Sequence, residues 1–153
     1  MNRTIINKAR NRRGFTVLLA VLVASLLLLL GASTFGIVSK EIVLSSTGRD
    51  SQFAFYAADA GAECALFWDF RHNAFEEGIS ISCNGVSLGV IPFEGTGQEM
   101  NFEYETGNFC TKVTVIKNSS VPRTTIQSRG YNTACESIST NPRALERAVE
   151  LTY

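Results

Sequence analysis

The 24 residues from Phe15 to Val38 carry no charge and no Pro, Asn or Gln, and no other stretch limits the chain's options as much. A helix of that length runs about 36 Å at roughly 1.5 Å per residue, enough to cross a hydrocarbon layer of about 30 Å. Five basic residues, Arg3, Lys8, Arg10, Arg12 and Arg13, precede the run with no acid among them, while the far side opens on the balanced pair Lys40-Glu41. The positive-inside bias therefore puts the N-terminus in the cytoplasm and the body outside. After Gly14, acids outnumber bases by fourteen to nine. That leaves no polybasic surface for phosphate backbones and argues against general nucleic-acid binding.

Three fates compete for such an N-terminus. In a conventional secretory signal, Gly31-Ala32-Ser33 would serve as a small-x-small cleavage site and release a domain starting at Thr34. An uncleaved anchor would hold the body at the membrane. The third fate rests on Arg12-Arg13-Gly14-Phe15-Thr16, where a short basic leader ends in Gly directly before Phe and the apolar run.

On those residues, and across Arg13 to about Ala65, the chain resembles the type IV prepilins and type II secretion pseudopilins. The resemblance implies cleavage between Gly14 and Phe15 by a prepilin peptidase, with methylation of the new amine on Phe15. Residues 1–14 would be the leader and 15–38 a membrane span that later becomes filament core. Most pilins carry Glu at the fifth mature position, where this chain has Leu19. A carboxylate in the bilayer is costly without a partner, and in the family that partner is the terminal amine of the subunit ahead. A subunit with nothing ahead of it needs none. K-type minor pseudopilins and some PilX-like minor pilins lack that Glu, and Phe53-Ala54-Phe55-Tyr56-Ala57-Ala58-Asp59-Ala60-Gly61-Ala62-Glu63 resembles the Ala-rich stretch of PilX-type N-terminal regions. By resemblance the partners are other pilin or pseudopilin subunits, the prepilin peptidase, an inner-membrane assembly platform and the lipid bilayer before assembly.

Read from periodicity alone, residues 39–71 continue as an amphipathic helix. Phe53, Ala57, Ala60, Cys64 and Phe67 recur at spacings of three and four and predict a stripe that needs covering. Gly31, Gly36 and Gly48 are soft points. Asp59 and Glu63 form a like-charge pair that reads as a solvated face.

Past Arg71 the pattern becomes extended and is punctuated by Asn84-Gly85 and Pro92. Alternation predicts strands over 79–83, 100–105, 109–117, 124–131 and 145–153, the last of which reads equally as helix. The expected fold class is α+β: a long N-terminal helix on a C-terminal antiparallel sheet over 72–153. The pilin resemblance implies the same architecture.

Cys64, Cys83, Cys110 and Cys135 all lie in the outer part, where an even number suggests two disulfides with three pairings open. A turn over Asn118–Pro122 folds the third and fourth strands into a hairpin and brings Cys110 near Cys135, leaving Cys64 for Cys83.

Catalysis finds little support. His72 is the only histidine, no G-x-S-x-G elbow or nucleotide-binding Gly loop is present, and no catalytic residue or cofactor is expected. His72 suits a helix end, where a cation meets the dipole. The cysteines form no C-x-x-C pair, and Asp69, Glu76 and Glu77 lack the dense spacing of a calcium loop, so no metal is expected. Trp68 reads as packing. The expected function is that of a non-enzymatic minor pilin or pseudopilin that primes or caps a filament, and the alternative is an anchored or secreted binding module.

Overall fold

The structure is a computed structural model that describes residues 13–92, 95 and 97–153; most of the expected leader, residues 1–12, lies outside them. Helix α1 (Arg13–His72) carries helical hydrogen bonding past Gly31, Gly36 and Gly48. The chain divides into two units, one ending at Ser45 and the other running from Ser46 to Tyr153. Residues 39–45, expected in the amphipathic half, therefore belong to the first unit.

In the first unit, every side chain from Phe15 to Ser45 is exposed. Leu, Val, Ile and Phe occupy all faces of the helix, so no buried stripe exists for the rest of the chain to cover. Its hydroxyls bond back to the helix: Ser25 Oγ to the Leu22 carbonyl at 2.8 Å, Thr34 Oγ1 to Gly31 at 3.0 Å, and Ser39 Oγ to Gly36 at 3.1 Å. Such self-satisfaction is what an apolar solvent requires of polar groups. Among the described residues this is the one helix long and apolar enough to cross a membrane.

In the second unit, α1 from Ser46 onward packs on a four-stranded antiparallel sheet. The chain continues through a short helix α2 (Ala74–Glu77) and a two-stranded hairpin, β1 (Ser80–Cys83) and β2 (Val86–Val90). The sheet then follows in sequence order: β3 (Glu99–Thr106), β4 (Phe109–Lys117), β5 (Thr124–Tyr131) and β6 (Glu146–Thr152). β3 to β5 alternate as expected. Met100, Phe102 and Tyr104, then Val113 and Val115, then Ile126 and Ser128 are buried on the helix side. The segment left open between strand and helix is the strand β6, paired along its whole length with β5.

Two elements depart from the sequence reading. α2 replaces an extended stretch, with Phe75 fully buried and Asn73 and Gly78 in the left-handed region at its ends. β2 is a strand because Asn84 and Gly85 both take positive φ, 50° and 80°, as a two-residue hairpin turn demands.

The buried face of α1 is also one position off the expected stripe. Phe53 and Phe67 are 39% and 50% exposed, while Ala54, Ala58, Gly61, Ala62, Ala65 and Asp69 are buried. The reason is closeness of approach. A Cβ on Gly61 would overlap Ser128 and Thr111, and one on Gly130 would overlap the backbone of Ala54 and Ala58. Helix and sheet touch backbone to backbone there, and only the smallest residues fit. The Phe53 ring turns sideways and stacks on Phe109 at 5.0 Å.

Candidate functional site

The expected processing site lies at the start of α1. The Gly14–Phe15 bond falls in the first turn, where backbone amides lack a helical partner and opening is least costly. Phe15 is 71% and Leu19 50% exposed. Leu19 therefore stands on an open helix surface.

The structure joins Cys64 to Cys83 and Cys110 to Cys135. The first bond ties the packed half of α1 to β1, and Trp68 reinforces the joint by donating Nε1–H to the Ser82 carbonyl at 2.8 Å. The second anchors the loop after β5 to the start of β4, so that each bond closes a loop the strand ladder leaves open. Glu103, Cys110 and Cys135 lie close enough to share a metal ion, but both sulfurs are committed to the disulfide.

The site that sequence reasoning missed centres on Asp69, which is 5% exposed at the end of the small-residue face of α1. The Lys117 ammonium donates to Oδ2 at 2.8 Å and makes an ionic contact with Oδ1 at 2.7 Å without hydrogen-bond alignment. Tyr153 donates its hydroxyl to Oδ2 at 2.6 Å, and Thr124 stands 3.5 Å away. Glu76 brings a second carboxylate within 3.5 Å of the same ammonium. Asp69 and Glu76 thus converge as a cation site would require, with Lys117 as the cation. Glu77 is exposed and takes no part. One signal for this cluster stood in the sequence: Lys117 continues the alternation of Val113 and Val115 onto the buried face, where a charge requires a partner. Asp69 follows Ala65 by four residues on the contact face of α1 in the same way.

Burial and then the bond to Asp69 raise the Tyr153 hydroxyl above its ordinary value. Burial, reinforced by the 2.6 Å hydrogen bond to Glu146, pushes Tyr131 up to about 12. A tyrosine raised in the folded state holds its proton longer than in the unfolded chain. Its contribution to stability is thus present below about pH 10 and is lost as pH climbs toward about 12. Burial also raises Tyr104, opposed by its bond with Thr111.

His72 lies in the last turn of α1 with its ring 5.0 Å from Trp68 and 5.2 Å from Phe67, within an aromatic group. Asp59 is half-buried and Glu63 exposed. No family model, no curated protein and no solved structure matches this chain.

Proposed function

We propose that this chain is a minor type IV pilin or pseudopilin, a non-enzymatic subunit that is anchored in the inner membrane by Phe15–Val38 and then helps prime or cap a filament. The observation that carries the reading is a helix whose first part exposes apolar side chains on every face while its continuation from Ser46 is packed on a sheet. The basic leader ending Arg13-Gly14 directly before Phe15 supplies the processing signal, and Leu19 suits a subunit with no neighbour ahead of it to neutralise a carboxylate. The partners are other subunits of the same class, the prepilin peptidase, the assembly platform and, before assembly, lipid.

The test is the N-terminal sequence and mass of the protein taken from membranes of a host with its own prepilin peptidase and from a strain lacking that enzyme. An N-methylated Phe15 present only with the peptidase is the expected result, and Gly14→Trp should abolish it. A chain beginning at Thr34 would identify a secreted domain and an intact Met1 a plain anchor. Either would discard the filament reading in favour of an extracytoplasmic binding module. Leu19→Glu should leave cleavage unchanged and lower the number of filaments; an unchanged count would remove the tip position.

A further inference from the structure

β6 bounds one side of the four-stranded sheet, and its outer edge is bare. Thr124 and Tyr153 exchange both backbone hydrogen bonds, at 2.9 and 3.1 Å. The β5–β6 register therefore turns the amides of Arg147, Val149 and Leu151 inward. Those of Ala148, Glu150 and Thr152 turn outward and have no backbone partner among the described residues. No Pro, Lys or bulge blunts residues 148–152, the usual protection of an edge. Alongside, Leu66 and Phe70 of α1 and Leu151 and Tyr153 frame an apolar groove of about 420 Å³. Phe70 is 76% exposed. At the opposite edge β2 stands near β3 without pairing to it.

We propose that this edge and groove dock an extended segment of a different protein by strand addition, with apolar side chains at alternate positions entering the groove and basic or neutral ones on the open face. The outward amides dictate an extended backbone, and the groove dictates the period of two. Charge dictates the rest. β6 turns Glu146 and Glu150 to the open face of the sheet; Arg129 stands 3.9 Å from Glu146, while Glu150 meets the neutral Gln127 amide, so an acidic residue beside Glu150 on an added strand would face like charge.

A second copy fits poorly in either of the ways it can offer a strand. Pairing β6 with itself about a two-fold axis is antiparallel and brings Glu146 and Glu150 of both copies to one open face, like charge against like charge. Offering β3 instead would set the second copy beside β2, which stands near β3 without pairing to it. It would also bring Glu99, Glu103 and Glu105 to the same open face as Glu146 and Glu150.

The experiment uses the full chain in detergent micelles and a fluorescent, end-blocked heptapeptide of alternating valine and lysine, read by anisotropy. Saturable binding is expected. It should weaken at least tenfold when the lysines become glutamates, and at least tenfold when the edge-facing amides are N-methylated. Glu150→Pro removes an outward amide and no ladder bond, and should abolish binding while the far-UV circular dichroism stays that of the parent. Phe70→Ser, at a surface position, gives an independent check with an expected tenfold loss. Equal binding of the methylated and unmethylated peptides, or full binding to both variants, would overturn the proposal. A dimer in micelles that Glu150→Pro dissolves would overturn it in favour of a second copy. Because the readout is independent of how the N-terminus is cut, its failure is distinguishable from failure of the filament reading.

Discussion

The two stretches of α1 obey opposite rules about size. From Phe15 to Ser45 the helix is crowded with Leu, Val and Phe, and all of them are exposed. From Ser46 to His72 the apolar positions buried most deeply against the sheet are Ala54, Ala58, Gly61, Ala62 and Ala65. Bulk marks the part that the chain itself leaves bare, and smallness marks the part it packs most tightly. A bare helix gains by covering itself with apolar volume suited to a lipid or protein neighbour. A helix pressed backbone to backbone on a sheet has no room for any.

The sharpest way to break the packed half is through the one buried charge pair among its described residues. Asp69→Asn leaves Lys117 a buried ammonium without its close partner and should cost about 3–5 kcal/mol, measured by chemical denaturation of the full chain in micelles with Trp68 as reporter. The double change Asp69→Leu, Lys117→Met should recover most of that loss, since the pair offsets its own desolvation and little more. A double variant as unstable as the single would instead show that the cluster organises the end of β6 through Tyr153.

Adding one methyl group separates the halves most directly. Gly130→Ala forces a Cβ against the backbone of Ala54 and Ala58, which cannot rotate away, and should destabilise the second unit by about 3 kcal/mol. Gly36→Ala meets nothing within 4 Å. It should leave the unfolding transition of the second unit unmoved and favour the helix locally by up to about 1 kcal/mol.

Much of this was legible in the residues, and the misses share a cause. β3, β4 and β5 followed from alternation because each has one wet and one dry face, as Val113, Thr114 and Val115 show. The hairpin between β4 and β5 then carried Cys110 to the neighbourhood of Cys135, where the structure places a disulfide. The helix face was missed because periodicity was weighted by hydrophobic bulk: Phe53 and Phe67 outweighed Ala54 and Ala65, although contact distance rewarded the smaller pair. The cluster at Asp69 was missed because its members, from α1, β4 and the residue after β6, are up to 84 positions apart. β2 was a local oversight, since Asn84-Gly85 between extended runs already specifies a two-residue turn.

The smallest effect concerns hydroxyls. In the bare stretch, Ser25, Thr34 and Ser39 each donate to a carbonyl of the preceding turn. In the packed half, Ser128 is fully buried beneath Gly61 and its Oγ has no hydrogen-bond partner. An orphaned hydroxyl costs the desolvation that a bond would have offset, so Ser128→Ala should stabilise the second unit by about 1 kcal/mol in thermal or chemical unfolding. Ser25→Ala gives up a local bond that the helix does not need and should shift nothing measurable in the same experiment. A Ser128→Ala protein that melts lower than the parent would mean that the Oγ fills space at the helix–sheet contact. Packing volume would then outweigh polar satisfaction at a close contact between α1 and β5.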